Sequence, residues 1–502
     1  MAQRAPLYDP AHKAHYERHR PEETVLYRTL ETHWPAFLER AEETGGLPRF
    51  VRREVEEYLG CGILEHGCVR VGCARCGFER LVAFSCKRRG FCPSCLGRRM
   101  ADTALHLVER VIPEVPVRQW VCSLPWRLRV LLGYDRKLCA AVLEAFVLEL
   151  SRSVKRRAKK SLGLATVAEA LTGAVSVIQR GDSALRLNVH FHVIALDGVY
   201  VREELDAPLV FHPLPAPTAE EVADVAQRTA LRVQKILARH GRSVDGTGDG
   251  DDDDAQAADQ LALAACCSAA ASGLGLDGER AGQPLLRIVD PSRAREGEPF
   301  ADVMGFNVHA EVAVPAHDRA RLERLCRYLC RPPLAQERLE ETPSGKLRYT
   351  FKKPWKDGTV ALLLEPLDLI ARVCALVPPP RLHMVRYHGV LSSHAKVRSE
   401  VVPHPEVAMS LATRVVQLEL FGDNNDNPDN EPRRRPWAWL LRHVFEVDVT
   451  TCPHCTGPMR WLEAATTPDA IARLLAKHGL GPRPPPKDRA PHGQLRLAFP
   501  KT

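Results

Sequence analysis

Apolar and polar residues alternate along several segments of the chain, which is typical of β-strands with one buried face. The clearest segment is LNVHFHVIALDGVY, residues 187–200. Its odd-numbered positions from Leu187 to Ala195 are all apolar. His190 and His192 lie together on the opposite face, because side chains two residues apart in a strand point the same way. The segments GAVSVIQRG and FNVHAEVAV also predict strands.

Other segments repeat apolar residues every three or four positions and predict helices. They are VLYRTLETHWPAFLERAEE, LPRFVRREVEEYLG, MADTALHLVERVIPEV, RKLCAAVLEAFVLELSRSVKRRAKK and HDRARLERLCRYLCRPPLA. The last helix should end near Arg331, because Pro332 and Pro333 lack the donor N–H and disfavour helix before them. The segment VRQWVCSLPWRLRVLL predicts a strand and a turn, and LRYTFKKPWKDGTVALLLEP predicts a hairpin with an Asp-Gly turn.

Length and composition favour an intracellular protein of several domains. A chain of 502 residues is too long for one core, and its 45% hydrophobic content is ordinary for a soluble globular protein. No apolar run is long enough to span a membrane, and the polar N-terminus has no signal-peptide pattern. We therefore expect a cytoplasmic protein with reduced cysteines.

Basic residues cluster, although the net charge is only +8. Acid is concentrated in VDGTGDGDDDDA, residues 244–255, which predicts a solvated loop; cation binding and nucleic-acid mimicry are alternatives. Basic runs occur at residues 88–100 and 152–160. A basic run is often only a solvated helix face. Two runs, one of them inside a cysteine cluster, favour a polyanionic partner.

Seven of the 16 cysteines lie between Cys61 and Cys95, a density that indicates metal binding. The pairs Cys73-x2-Cys76 and Cys92-x2-Cys95 flank 15 residues, as in a tetrahedral zinc ribbon whose four thiolates leave no open position. We predict a structural zinc site there, against the alternative of free buried cysteines. The surrounding basic side chains are predicted to contact a phosphate backbone; they are Arg88, Arg89, Arg98 and Arg99.

Two further zinc sites stay open at the level of sequence. Cys61, His66 and Cys86 are surplus to one ion and could form a second site. The pair Cys452-x2-Cys455 near the C-terminus is half of such a site, with no second pair nearby.

The two strand histidines predict a second kind of metal site. Burying two adjacent imidazoles is costly without a shared partner, and a divalent cation supplies one. Two ligands are too few, so a third must come from elsewhere: His309, Gln179 or Asp182. Such a site keeps coordination positions open, as catalysis requires.

Tyr328 is the candidate nucleophile. A metal beside a basic, zinc-carrying chain suggests a nuclease, in which the cation polarises a phosphate oxygen. Tyr328 lies in a helix that begins soon after the His309 strand, with Arg324, Arg327 and Arg331 within one turn. Helical tyrosines are most often packing residues. The neighbouring guanidinium groups, which could hold the scissile phosphate, favour the catalytic interpretation.

A histidine–hydrophobe–histidine strand followed by a helix tyrosine resembles the HUH endonucleases. More specifically, five segments resemble, in this order, the rolling-circle transposases of insertion-sequence family ninety-one and their common-region relatives. They are FSCKRRGFCPSC, VPVRQWVCSLPWRLR, LNVHFHVIALDGVY, RYLCRPPLA and HMVRYHGVLSSHAKVR. The likeness runs from about residue 28 to 400, with a weaker echo at 435–480.

The resemblance implies an α+β fold: an N-terminal helical and zinc-ribbon domain, a catalytic domain on a central antiparallel sheet flanked by helices, and a small C-terminal module. The boundaries expected on this basis are residues 20–115, 116–400 with an insertion at 205–300, a linker at 401–434, a Cys-x2-Cys module at 435–482 and a disordered tail at 483–502.

The resemblance also implies a mechanism. His190 and His192 would hold Mg²⁺ or Mn²⁺ with a third ligand such as His309, and Tyr328 would attack DNA to leave a 5′-phosphotyrosine and a free 3′-hydroxyl. Arg327 and Arg331 would contact the DNA. Founding members carry two tyrosines four residues apart, but Arg324 and Pro332 occupy those positions here. The chain therefore resembles a single-tyrosine member, with Tyr387 as a weaker second participant.

The sequence thus predicts a transposase that nicks and rejoins single DNA strands, located in the cytoplasm with the nucleoid. The alternatives are an HUH replication initiator or relaxase with the same chemistry, and a non-enzymatic zinc-dependent DNA-binding protein. The sequence leaves the oligomeric state open.

Overall fold

A computed structural model describes residues 14–15, 19–204, 207–241, 260–276, 281–293, 302–403 and 447–481. The acidic run at 244–255, nearly all of the predicted linker and the predicted tail at 483–502 lie outside these residues. Among the described residues, every helix is too short or too polar to span a lipid bilayer.

The described residues form a mixture of helices and strands, as predicted. The helices are α1 (Val25–Glu42), α2 (Arg49–Leu59), α3 (Pro93–Arg110), α4 (Trp126–Tyr134), α5 (Arg136–Leu162), α6 (Ala219–Arg239), α7 (Leu261–Ser272), α8 (Arg319–Leu329), α9 (Pro366–Leu376), α10 (Arg398–Val401) and α11 (Pro468–Lys477). Short 3-10 helices are Pro21–Glu23, Leu64–His66, Pro291–Arg293 and Gln336–Arg338.

The strands include β1 (Ala14–His15), β2 (Cys68–Cys73), β3 (Glu79–Ala83), β4 (Val117–Ser123), β5 (Gly173–Gly181), β6 (Leu187–Leu196), β7 (Gly198–Val201), β8 (Val210–Pro213), β9 (Leu286–Val289), β10 (Asp302–Val303), β11 (Phe306–His309), β12 (Ala313–Val314), β13 (Leu339–Glu341), β14 (Leu347–Thr350), β15 (Thr359–Leu364), β16 (Val385–Gly389), β17 (Val447–Asp448) and β18 (Met459–Ala465).

A central sheet runs in the order β10-β11-β4-β6-β5-β16, with β12 also paired to β4. Every neighbouring pair in it is antiparallel. The histidine strand β6 lies in the middle of this order, between β4 and β5. Backbone hydrogen bonds on both edges therefore hold β6, which gives its side chains fixed directions.

The two faces of β6 pack against different layers. Leu187, Val189, Phe191, Val193 and Ala195 belong to the large apolar core together with residues of α4, α5, α7 and α9. The opposite face continues past the histidines into a second apolar cluster, where Ile194 meets residues of α3 and α8. The alternation of side chains along β6 therefore corresponds to two different faces, each of which packs against helices.

The segment predicted as a strand and turn differs in its second half. β4 ends at Ser123, and residues 126–134 form α4. Pro125 precedes the helix, where its fixed φ and missing N–H cost nothing. α4 contacts β6, so it forms part of the covering layer on the apolar face.

Elements from residues 205–300 pack against the rest of the described structure. α7 contacts α9, and its Cys266 and Cys267 are buried in the main core. β9 pairs with β15 at the edge of the β13-β14-β15-β9 sheet. The predicted hairpin is there too, formed by β14 and β15, with Gly358 at a φ of 81° beside Asp357.

A third sheet joins the two ends of the chain in the order β18-β2-β3. β2 and β3 belong to the cysteine-rich N-terminal region. β18, from the C-terminal module, pairs antiparallel with β2, from Met459 opposite Cys73 to Ala465 opposite Cys68.

Candidate active site and zinc clusters

His190 and His192 point from the same face of β6, with ring centroids 5.0 Å apart. His192 is buried at 4% exposure, and His190 is half-buried. Burial lowers the pKa of His190, and burial, followed by the nearby His190 and Arg331, lowers the pKa of His192 to about 3. Both imidazoles are therefore neutral at physiological pH, the form that ligates a metal.

Hydrogen bonds orient both rings through Nδ1. Nδ1 of His190 lies 2.7 Å from the carbonyl oxygen of Asn188, which only accepts, so Nδ1 carries the proton and Nε2 has a lone pair. Nδ1 of His192 lies 2.8 Å from the side-chain amide of Gln119. The Gln119 atom in this contact is the side-chain nitrogen. Turning the amide over, which exchanges its nitrogen and oxygen, lets Nδ1 donate to the oxygen and leaves a lone pair on Nε2 of His192, which is buried with no hydrogen-bond partner. The two Nε2 atoms therefore fit a shared cation.

The three predicted third ligands lie in different settings. His309 pairs with Val121 on β4, which pairs with His192, so His309 lies two strands away in the same row of the sheet. Gln179 donates 2.7 Å to the carbonyl of Leu329 at the end of α8. Asp182 forms an ion pair of 2.7 Å with Arg186 and accepts backbone N–H bonds in its own turn. Within the described residues, no set of three histidine or carboxylate groups converges at this site.

Tyr328 lies beside the histidines. Its ring meets that of His192 edge-on, with centroids 6.3 Å apart, and its side chain is 47% exposed. The Arg331 guanidinium carbon lies 4.4 Å from the centre of the Tyr328 ring. Tyr387, in contrast, packs in the second apolar cluster, and burial raises its pKa.

α8 presents Tyr328 by burying its other face. Leu322, Cys326 and Leu329 pack into the second apolar cluster, and Asp318 caps the first turn by accepting from the N–H of Arg321. The helix ends at Leu329, close to the predicted end. The arginines of this turn differ in their availability, since Arg327 is paired with Glu323 at 2.6 Å whereas Arg324 is exposed.

The predicted zinc ribbon does not form, because the structure divides its four cysteines between two clusters. Cys92 and Cys95, at the start of α3, join Cys61 and Cys86. Cys73 and Cys76, at the far end of β2, join Cys452 and Cys455. The spacing along the chain predicted that Cys73 and Cys76 would share an ion with Cys92 and Cys95. In the structure, Cys73 and Cys76 lie at the end of β2 that is away from the start of α3. His66 belongs to neither cluster.

Both clusters fit a tetrahedral zinc ion. The sulfurs of each lie within 4.8 Å of one another, and the closest contacts range from 3.4 to 3.7 Å. Zn–S bonds of about 2.3 Å in a tetrahedron place sulfurs about 3.8 Å apart. The Cys86 backbone N–H also donates to the Cys61 sulfur at 3.3 Å. Four thiolates saturate the metal, so these sites are structural.

The predicted phosphate contacts around the second knuckle have intramolecular partners. Arg88 forms a bidentate pair with Glu57. Arg98 donates to the Ser85 hydroxyl at 2.9 Å. Arg99 donates to the carbonyl of Lys87 at 3.1 Å. The Arg89 side chain is exposed. Their contact with DNA stays a prediction.

Three further site residues are missing from the sequence-based prediction. Gln119 orients His192 from the neighbouring strand. Asn188 lies on the histidine face of β6, and Asn307 shares a row with Ser123 and His190. The side-chain oxygens of Asn188 and Asn307 are buried without a hydrogen-bond partner, so they are further candidates for the third ligand. Only the strand order brings Gln119 and Asn307 to the histidines, whereas Asn188 shares their face through the period of the strand.

Comparison with known proteins identifies the family of this chain. Residues 29–124 match the family model "Transposase zinc-binding domain", and residues 173–399 match the family model "Putative transposase". The first match contains all four cysteines of the Cys61 cluster, and the second contains His190, His192 and Tyr328. The chain belongs to the IS91 family of transposases.

A curated relative matches along most of the transposase. It is the transposase for insertion sequence element IS801 of Pseudomonas savastanoi pv. phaseolicola, 22% identical over 425 residues, which cover 84% of this chain and 86% of the relative. No solved structure matches. The N-terminal region of this transposase is a zinc-binding domain, and the enzyme acts on DNA.

Proposed function

We propose that this transposase nicks and rejoins single DNA strands through a covalent bond to Tyr328. The observation that carries the proposal is the edge-on contact of the exposed Tyr328 ring with His192, 6.3 Å between centroids. An exposed phenol beside two neutral imidazoles combines a nucleophile with a metal-ligand pair. The catalytic unit would be residues 116–400, with the central antiparallel sheet serving as an HUH-type sheet.

In the proposed cleavage, the Tyr328 hydroxyl gives up its proton as its oxygen attacks the phosphorus of a DNA phosphodiester. The bond between phosphorus and the 3′ oxygen breaks, the 3′ oxygen takes up a proton, and the phosphate stays attached to the 5′ carbon and to Tyr328. Attack by a 3′-hydroxyl on this phosphotyrosine reverses the step and joins the strands. The covalent bond conserves the energy of the phosphodiester, so no nucleotide cofactor is required.

The side chains around Tyr328 have separate roles in this proposal. Nε2 of His190 and of His192 would hold Mg²⁺ or Mn²⁺, which supplies polarisation of a phosphate oxygen. Arg331, whose guanidinium lies against the Tyr328 ring, would contact the phosphate. Gln179 holds the end of α8 through the carbonyls of Tyr328 and Leu329.

The test is cleavage of single-stranded oligonucleotides from the ends of the element, with Mn²⁺ and the full-length protein. Wild type should form a protein–DNA adduct that survives denaturation, and Tyr328→Phe should form none. Tyr387→Phe is the matched control and should keep the adduct. His190→Ala combined with His192→Ala should lose cleavage while retaining the fold. An adduct that persists in Tyr328→Phe rejects Tyr328 as the nucleophile.

A further inference from the structure

The second cysteine cluster takes its ligands from opposite ends of the chain. Cys73 ends β2 and Cys76 follows it in the N-terminal region, whereas Cys452 and Cys455 precede β18 in the C-terminal module. Sulfur–sulfur distances are 3.4 Å between Cys73 and Cys455 and 3.5 Å between Cys76 and Cys452. The C-terminal pair lies outside both family matches.

The two pairs have the same backbone turn. The N–H of Cys73 donates to the carbonyl of Phe78 at 2.8 Å, and the N–H of Gly77 donates to the carbonyl of Cys73 at 3.0 Å. At the C-terminal pair, the corresponding bonds join Cys452 to Gly457 at 2.8 Å and Thr456 to Cys452 at 3.0 Å.

The left-handed residue also recurs at the same place. Gly77 has a φ of 71° and Thr456 has a φ of 57°, each four residues after the first cysteine of its pair. A threonine rarely adopts this conformation, so the surrounding contacts must hold the C-terminal turn in it. Two matching cysteine turns facing each other are the arrangement of a zinc ribbon.

Gly457 allows the sulfurs to approach. A Cβ at this position would lie 3.2 Å from the sulfurs of both Cys455 and Cys73. Outside the sulfurs, the Phe78 and His454 rings stack with centroids 4.4 Å apart. Phe78 belongs to the N-terminal region and His454 to the C-terminal module, so their stacking is a further contact between the two regions.

The surrounding surfaces are also complementary. Arg70 of β2 pairs with Glu79 at 2.6 Å and with Glu463 of β18 at 3.3 Å. Glu79 in turn receives Lys477 of α11 at 3.1 Å. Leu64, Cys68 and Leu81 share a small apolar cluster with residues of the C-terminal module, which are Ala465, Ile471, Leu474 and Leu475.

We propose that one Zn²⁺ bound by Cys73, Cys76, Cys452 and Cys455 fastens the C-terminal module to the N-terminal zinc domain. This ion is separate from the one that the Cys61 cluster holds. Modules of fewer than about 40 residues usually need a metal or disulfide to fold. The described C-terminal module, 447–481, is of this size and completes its sheet only on β2. The zinc therefore links two segments that precede and follow the catalytic domain in the sequence.

Zinc counting on the full-length protein tests the shared ligation. Wild type should carry two structural zinc ions per chain. Cys73→Ser/Cys76→Ser and Cys452→Ser/Cys455→Ser should each lose one ion, and the variant with all four substitutions should still lose only one. Adding Cys92→Ser/Cys95→Ser to the C-terminal pair should remove both. Cys68→Ala, a buried cysteine of β2 outside both clusters, is the matched control and should keep both.

Two results overturn the proposal: no zinc loss in Cys452→Ser/Cys455→Ser, or loss of two ions when the four cysteines are replaced together. Thiol alkylation of wild type, read by mass spectrometry, gives an answer without any variant. Cys452 and Cys455 should be protected in the zinc-loaded protein and react with the same rate as Cys73 and Cys76 once a chelator is added. Free reaction of Cys452 and Cys455 in the zinc-loaded protein contradicts shared ligation.

Discussion

At the scale of single residues, the candidate active site depends on how two imidazoles are held. A backbone carbonyl fixes the His190 ring, and the Gln119 amide fixes the His192 ring, each through Nδ1. The sequence predicted the two histidines, because their shared face follows from the strand period. It could not predict Gln119, because β4 and β6 become neighbours only through the fold.

Gln119→Leu should therefore weaken metal binding without disturbing the sheet. Removing an orienting partner of a metal-bound histidine typically costs 10–100-fold in metal affinity or activity, so the Mn²⁺ concentration for half-maximal nicking should rise by about 10–100-fold. Ser176→Ala is the control, since Ser176 bonds His388 at 2.8 Å elsewhere in the same sheet. An equal Mn²⁺ requirement in Gln119→Leu and wild type would remove Gln119 from the site.

His388 provides a pH prediction outside the active site. Burial, with Arg386 second, lowers its pKa to about 4 from an ordinary 6.5. As the pH falls below 6.5, the imidazole binds a proton in the unfolded chain but stays neutral in the native protein. The free energy of unfolding therefore decreases until about pH 4, where the native imidazole is protonated too. Between pH 7.5 and 5.5, wild type should lose about 1 kcal/mol more than His388→Gln in the free energy of unfolding. Urea denaturation at both pH values measures this difference; equal losses would contradict it.

At the scale of elements, the end of α8 determines where Tyr328 lies. The sequence predicted the helix and its end, because the apolar period and the two prolines are local signals. The sequence left the third metal ligand undetermined. His309, Gln179 and Asp182 lie in different segments, and their positions relative to the histidines depend on the strand order. The strand order places Gln179 against the end of α8 and His309 two strands from His192.

Gln179→Leu should consequently slow cleavage more than it weakens DNA binding. The substitution removes the hydrogen bond to the Leu329 carbonyl and the weaker one to the Tyr328 carbonyl, so Tyr328 loses its fixed position. Small displacements of a reacting group cost up to about 100-fold in rate. Single-turnover kinetics should show a lower cleavage rate with an unchanged DNA dissociation constant. A change confined to DNA affinity would argue against the positioning role.

At the scale of the whole molecule, cysteine spacing predicted zinc but not the ligand sets. A Cys-x2-Cys pair is a local signal, so three pairs of ligands were visible in the sequence, whereas Cys61 and Cys86 are single cysteines with no such spacing. Which pairs share an ion depends on β18 pairing with β2 across most of the chain length. The Cys452 pair looked like half a site because its other half lies at the opposite end.

Hydrogen exchange should reveal this division. A chelator should increase amide exchange in β2, β3 and β18 together, because they share one sheet and one proposed ion. β6 should keep more of its protection, since it lies between β4 and β5 in a different sheet and is hydrogen-bonded on both edges. Increased exchange in β18 without any change in β2 would show that the two ends do not depend on a common metal.

The most direct measurement for the whole account is identification of the DNA-linked residue. Wild-type protein would be reacted with a single-stranded element end and Mn²⁺, digested with trypsin and nuclease, and analysed by tandem mass spectrometry. We expect a 5′-phosphonucleotide on the peptide of residues 328–338, whose only tyrosine is Tyr328. A nucleotide on the peptide that contains Tyr387, or cleavage with no covalent peptide at all, would contradict it.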